Sequence, residues 1–120
     1  MKIFWFSRHT MTPAQLADLK RIYGADLEVA QASASVSSAK EVVELAGDAD
    51  VLAVVLPPAL LADLTNPRIN TKPVIRAVAN RIPTGGTVVN PATGKEEAEY
   101  RFEHAGWEKV IRIVVETERL

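Results

Sequence analysis

The chain has 120 residues, of which 48% are hydrophobic, so it can bury one compact core but is too short for two ordinary domains. Fourteen basic against fifteen acidic side chains give a net charge of −1, which supplies no broad positive field to hold duplex DNA or an acidic membrane. The absence of cysteine excludes disulfides, thiolate metal sites and a cysteine nucleophile. We expect a single cytoplasmic domain, residues 1–120, without a membrane span.

The first half of the chain alternates between apolar runs and amphipathic segments. Continuous apolar runs are typical of strands covered on both faces, and Thr-Pro or capping-box sequences are typical of helix starts. In chain order the predicted elements are a strand over residues 2–6, a helix that opens at Thr12-Pro13 and ends at Gly24, a weaker strand over 27–34, a helix that opens at Ser38 and ends at Gly47, and a strand over 51–56.

The second half of the chain predicts more strand than helix. The predicted elements are a short helix over 59–64, a strand over 73–80, an exposed excursion or hairpin over 82–96, and antiparallel tail strands at 100–102 and 110–115. A short helix over 97–106 is the alternative for the first part of the tail.

This order predicts an α/β fold, namely a single Rossmann-like domain whose sheet is mostly parallel and finishes in antiparallel C-terminal strands. Such sheets bind ligands in the crevice beyond the carboxyl ends of the strands, where the strand order reverses. If the order begins 2-1-3, residues 7–10 and 56–58 face each other across that crevice.

Ser7, Arg8, His9 and Thr10 follow the first strand directly and precede the first helix. Arginine can grip a phosphate with two hydrogen bonds, histidine can transfer a proton near neutral pH, and amides at a helix start favour anions. The sequence therefore predicts an anion site suited to a phosphodiester. The alternative is that Ser7 and Thr10 satisfy turn backbone, Arg8 is solvated and His9 packs at the edge of the sheet.

Further positions complete the predicted site. The ligand-binding set also includes Thr12 at the helix start, Pro57 and Pro58 after the central strand, and Asn80 and Arg81, which are placed at the end of the fourth strand to contact a second phosphate or a base. His104, the other histidine, is interpreted as a surface residue, and two histidines without matched carboxylates predict no metal site. No cofactor is expected.

The segments FSRHTMTPAQLADL (residues 6–19) and VLPPALLADL (residues 55–64) resemble those of small Rossmann-like, CARF-like proteins encoded with type III CRISPR systems. Those proteins begin with a hydrophobic strand that ends in a Ser-His or Ser/Thr-Arg-His sequence, and several carry a proline-containing loop after a central strand. The similarity covers both loops that border the crevice and about a quarter of the chain. Residues 82–96 have no counterpart in the pattern.

The resemblance implies a cyclic oligoadenylate ligand, typically cyclic tetra-adenylate, bound across a two-fold homodimer interface. Some members of the group are ring nucleases, which cut this second messenger, and others are sponges, which only sequester it. Such cleavage requires no metal ion, because each adenylate carries its own 2′-hydroxyl nucleophile. By position, residues 7–10 match the first-loop motif, and Pro57 and Pro58 match the second loop. In a ring nuclease, Arg8 and the helix amides would bind the scissile phosphate, Ser7 and Thr10 would orient it, and His9 would act as general acid/base or as a further charge stabiliser.

Three other interpretations remain open. A sponge would use the same pocket without turnover. A nucleotide- or anion-binding protein, or an interaction protein of a mobile element, would use the Arg8-His9 joint differently or not at all. Arg8-His9 after a strand is also similar to the Arg-His-Gly start of histidine phosphatases, but Thr10 replaces the glycine and the chain is shorter than that fold requires.

Overall fold

A five-stranded sheet organises the chain in the computed structural model, which describes residues 1–114 and 116–120. The described elements are β1 (Lys2–Phe6), α1 (Pro13–Tyr23), β2 (Glu28–Ala32), α2 (Ala39–Ala46), β3 (Val51–Val54), α3 (Pro58–Leu64), β4 (Val74–Val89) and β5 (Glu96–Lys109). The strand order is β2-β1-β3-β4-β5, parallel from β2 to β4, with β5 antiparallel to β4. The predicted α/β, Rossmann-like domain and the 2-1-3 start of the order are confirmed.

The apolar run of β1 is buried because helices cover the sheet on both faces. Phe4 and Phe6 belong to a core cluster that includes buried residues of α2 and α3. Ile3 and Trp5 point to the other face, where they pack with Leu19 of α1. Side chains alternate across a strand, so a strand between two layers must be apolar at every position.

The C-terminal third of the chain departs from several sequence-based expectations. β4 does not stop at residue 80 but continues to Val89, and it pairs with β5 from Glu96 onwards, so the predicted hairpin is confirmed and is longer than expected. The alternative helix over 97–106 is wrong, since these residues belong to β5. Residues 110–114 are not in a strand, and Val115 of the predicted 110–115 strand lies outside the described residues.

The β4–β5 hairpin extends past the rest of the sheet as an arm, which we define as residues 79–104. Ala53 of β3 pairs with Ile75, so β4 runs well beyond the carboxyl end of β3. At about 3.3 Å per residue, residues 79–89 span roughly 35 Å. The extents of 51 × 46 × 23 Å and the radius of gyration of 17.0 Å, against about 14 Å for a compact chain of this length, reflect this projection.

Candidate functional site

A cleft of about 390 Å³ opens at the carboxyl edge of the sheet, on the face covered by α2 and α3. Its walls come from three separate parts of the chain, residues 6–9 after β1, 33–36 after β2 and 55–57 after β3, together with Leu60 of α3. Parallel strands deliver these loops to one edge, where the strand order reverses and where such sheets bind ligands. The cleft therefore lies where the sequence places the crevice.

Four of the predicted site residues line this cleft together, namely Ser7, Arg8, His9 and Pro57. Thr10 and Pro58 are the next residues along the chain but are not part of its lining. The two loops that the sequence places opposite each other both line the cleft, but each does so one residue earlier than predicted, with residues 6–9 and 55–57.

Ser7 acts inside the loop rather than at its surface. Its side chain is buried, and its Oγ accepts a hydrogen bond from the backbone N–H of His9 at 3.1 Å. This is a local turn of the kind that serine favours. Ser7 thus satisfies turn backbone, as the alternative interpretation stated, and it fixes the direction in which Arg8 and His9 leave the strand.

Two further side chains hold the Ser7–His9 loop from outside it. Trp5 donates its indole N–H to the carbonyl oxygen of His9 at 2.8 Å. Gln31 of β2 donates its side-chain amide to the carbonyl oxygens of Ser7 and His9, at 3.0 and 2.9 Å. Sequence reasoning missed both residues; the signal for Gln31 is a polar side chain within a strand that parallel pairing places beside β1.

Arg8 and His9 present exposed side chains at the mouth of the cleft. Among the described residues that line the cleft, Arg8 carries the only permanent charge, and none is acidic. A guanidinium unopposed by carboxylates favours an anionic group, and the imidazole one residue away can exchange a proton with it. The electrostatics of the cleft therefore fit a phosphate-containing ligand.

The floor of the cleft is apolar and its rim is partly hydroxylic. Phe6, Val36, Leu56 and Leu60 supply apolar surface, and Ser33 and Ser35 add hydroxyl groups on the β2 side. Apolar surface with a few polar groups is the usual lining of sites for organic ligands, including the faces of nucleobases. The Ser33–Val36 wall was missed because serine and alanine residues after a weak strand carry no motif.

The start of α1 does not supply the anion site predicted for it. Thr12 accepts a hydrogen bond from the N–H of Gln15 at 3.1 Å, and Gln15 accepts one in return from the N–H of Thr12 at 2.9 Å, in a capping box. Pro13 has no N–H, and none of these residues lines the cleft. Thr12 therefore caps the helix, on the face of the sheet opposite the cleft.

Asn80 and Arg81 lie far from where the sequence placed them. They pair with Glu103 and Phe102 within the arm rather than ending the fourth strand, and neither lines the cleft. The guanidinium of Arg81 stacks over the ring of Tyr100, 4.1 Å from its centroid. The prediction misplaced them because it ended β4 about nine residues too early.

His104 is not the surface residue that the sequence suggested. Its side chain is only 10% exposed, and its Nε2 lies 3.0 Å from Asp18 Oδ2 of α1. Hydrogen bonds from His104 and Arg21 lower the pKa of the Asp18 carboxyl below its ordinary value. Next to it, Trp107 packs edge-on against Trp5 and donates its indole N–H to the carbonyl oxygen of Gln15. These contacts tie the base of the arm to α1.

The described part of the chain shows neither a metal-binding cluster nor a membrane-spanning helix. No cluster of three or more histidine, aspartate or glutamate side chains suited to a metal ion occurs within residues 1–114 and 116–120. Over the same ranges no helix is both long and apolar enough to cross a bilayer.

The fold and the cleft define a Rossmann-like α/β domain with a candidate anion site at its carboxyl edge. No protein-family model, curated protein or solved structure gives a significant match to the chain. The resemblance to type III CRISPR-associated proteins thus depends on the sequence motifs alone.

Proposed function

We propose that the protein binds a cyclic oligoadenylate, cyclic tetra-adenylate in the first instance, with its carboxyl-edge cleft at a homodimer interface, and cleaves it without a metal ion. The observation that carries the proposal is the unopposed Arg8 guanidinium beside His9 at the mouth of a cleft with an apolar floor. The guanidinium suits a phosphodiester, and the floor suits an adenine face. Such cleavage would switch off type III CRISPR signalling.

The reaction uses a nucleophile that the ligand itself carries. The 2′-oxygen of one adenylate attacks the adjacent phosphorus in line, the bond from phosphorus to the 5′-oxygen breaks, and a 2′,3′-cyclic phosphate and a 5′-hydroxyl result. Arg8 stabilises the charge that develops on the phosphoryl oxygens. His9 accepts the 2′-hydroxyl proton or protonates the 5′-oxygen that leaves. Cutting a tetra-adenylate ring twice gives linear di-adenylates.

The homodimer in this proposal follows from the symmetry of the ligand. A ring of identical units presents equivalent phosphates, and an isologous interface presents the same loop twice. Pro57, which also lines the cleft, would then shape the entrance on each side.

A sponge is the second candidate. The exposure of both Arg8 and His9 favours it, because no described side chain hydrogen-bonds to the imidazole to fix its orientation for proton transfer. A sponge needs only the charge and the floor of the cleft.

The decisive experiment incubates the purified protein with labelled cyclic tetra-adenylate, with and without EDTA, and resolves bound, intact and cleaved species over time. Linear product that is resistant to EDTA supports the ring nuclease, and tight binding of the intact ring supports the sponge. The proposal would be rejected if the protein neither bound nor cleaved this ring or any other cyclic oligoadenylate tested.

Variants assign the roles within the cleft. We expect Arg8→Ala to weaken ring binding by about 1.5–3 kcal/mol, which is typical for loss of a charge-assisted hydrogen bond. We expect His9→Ala to slow cleavage by roughly 10²-fold or more with little effect on binding. Arg68→Ala, an exposed arginine beyond α3 that does not line the cleft, is the matched control. Unchanged affinity in Arg8→Ala would remove Arg8 from the site.

A further inference from the structure

β5 forms a long edge strand at one end of the sheet. β5 is the last strand of the sheet, and no other strand in the described part of the chain pairs with its outer side. It has 14 residues, whereas strands in globular proteins usually have about 5–6. A long edge strand offers a row of unpaired backbone N–H and C=O groups, which natural proteins normally cover or interrupt. β5 contains no proline.

The arm exposes apolar side chains on both of its strands. Phe102 is 71% exposed and Val89 is 63% exposed. An isolated two-stranded ribbon is only marginally stable in water, so an arm of this length gains much from a further strand. The arm is also close to neutral, because Arg81, Lys95 and Arg101 stand against Glu96, Glu97, Glu99 and Glu103. An arm without a net positive charge has no electrostatic preference for a nucleic acid.

The sequence at the middle of β5 is complementary to itself. Side chains alternate along the strand, so Arg101 and Glu103 share one face while Phe102 lies on the other. Arg101 and Glu103 already form an exposed ion pair of 3.0 Å within the chain. If two β5 strands pair antiparallel about a two-fold axis at Phe102, Arg101 lies opposite Glu103 of the partner subunit, and Glu103 lies opposite the partner's Arg101.

Neighbouring registers are less favourable. An axis at Arg101 places two arginines opposite each other, and an axis at Glu103 places two glutamates opposite each other. An axis at Tyr100 places Glu99 opposite Arg101 of the partner subunit, which is attractive. The same axis places Glu97 opposite the partner's Glu103, and this repulsion offsets the attraction. Opposite charges directly across a strand pair stabilise it and like charges destabilise it. Of these four registers, the axis at Phe102 is therefore the most favourable, and it also brings the two Phe102 rings into contact.

We propose that the outer edge of β5 binds a second copy of this chain, by antiparallel pairing of the two β5 strands about Phe102. The pairing spans residues 100–104, because Ala105 forms a bulge between His104 and Gly106 that interrupts the register. This surface is separate from the cleft. In the cyclic oligoadenylate proposal the ring itself joins two clefts, so in ligand-free protein only the β5 pairing predicts a dimer, and the two proposals can be tested separately.

A charge-swap experiment tests the pairing by sedimentation of the ligand-free protein over a range of concentrations. The wild type should form dimers as its concentration rises. Arg101→Glu sets carboxylates opposite carboxylates across the strand pair, and Glu103→Arg sets guanidinium groups opposite each other, so each variant alone should stay monomeric. An equimolar mixture of the two should dimerise, because every cross-strand pair is then of opposite charge.

The mixture separates pairing from a folding defect, since the ion pair within the chain is broken in both variants. Arg68→Glu, an exposed position beyond α3, is the matched control and should dimerise like the wild type. The proposal is overturned by a wild type that is monomeric at every concentration. It is also overturned by single variants that dimerise like the wild type, or by a mixture that stays as monomeric as its components.

Discussion

At the scale of single residues, neighbouring side chains hold the Arg8-His9 joint through hydrogen bonds to its backbone. They do not bond to the guanidinium of Arg8 or to the imidazole of His9. Ser7, Trp5 and Gln31 together satisfy the N–H of His9 and the carbonyl oxygens of Ser7 and His9. The side chains of Arg8 and His9 themselves are exposed at the mouth of the cleft. The position of the loop is therefore fixed by its backbone hydrogen bonds, and these do not involve the two side chains that are proposed to act on a ligand.

Replacing Gln31 tests this support. In Gln31→Glu a carboxylate would face two carbonyl oxygens instead of donating to them, so we expect a loss of about 1–2 kcal/mol in the free energy of unfolding. Chemical denaturation measures it, with Glu28→Gln on the same strand as the control. An unchanged midpoint in Gln31→Glu would show that the two hydrogen bonds contribute nothing to stability.

The Asp18–His104 pair predicts a specific acid dependence. The pKa of Asp18 is lowered in the folded protein, so the pair stabilises the fold fully above the ordinary carboxyl pKa and this contribution is lost as the pH falls through the lower folded value. The difference in stability between wild type and Asp18→Asn should therefore shrink toward zero in strong acid. Denaturation at several pH values measures it, with the exposed Asp26→Asn as control; a difference independent of pH would contradict the assignment.

At the scale of elements, the sequence predicts best where a pattern is local. Thr12-Pro13 and Ser38 each begin a helix as expected, because an N-cap depends on residues within one turn. The apolar run 51–56 is also recovered as β3, although the strand itself ends at Val54. The order β2-β1-β3 follows from the alternation of strands and helices through general rules of connection.

The arm shows where local patterns fail. Pro83, Gly85 and Gly86 are turn residues, yet they lie within β4, beside an irregularity in the register between Pro83 and Thr87. A proline is tolerated in a strand at such an interruption. β4 continues through these residues because β5 pairs with it along a long stretch. A pairing partner some twenty residues away in the sequence cannot be inferred from local composition.

The sequence likewise predicted some residues of the candidate site, misplaced others and missed the rest. Ser7, Arg8, His9 and Pro57 were found because they directly follow buried strands, whose ends meet at one edge. Asn80 and Arg81 were misplaced because the end of β4 was misplaced. Ser33, Ser35 and Gln31 were missed because their importance arises only from the parallel neighbour that brings them beside the first loop.

At the scale of the whole molecule, the cleft and the β5 edge are different surfaces for different contacts. The cleft lies over β1 and β3, and β4 separates these strands from β5. The proposed ligand at the cleft and the proposed strand pair at the arm would therefore join different sides of the chain. Two distinct isologous contacts on one subunit generate assemblies larger than a dimer.

Binding stoichiometry tests this arrangement. A ring shared by two clefts requires one cyclic tetra-adenylate per two chains, and its addition to arm-paired dimers should raise their mass further. Calorimetric titration combined with light scattering measures both quantities, and the Arg101→Glu variant should keep the stoichiometry while losing the larger assembly. One ring per chain would instead confine the ligand to a single cleft.

The projection of the arm also determines how backbone amides exchange with solvent deuterium. Amides of β1 and β3 lie in the centre of the sheet between two layers of helices, so they should exchange only when the domain opens globally. The outward amides of β5 have no such cover in a single chain. If copies pair along this edge, deuterium uptake at residues 100–104 should slow as the protein is concentrated, while uptake at the tip of the arm, residues 90–95, stays fast. Exchange would thus record the contact between copies residue by residue.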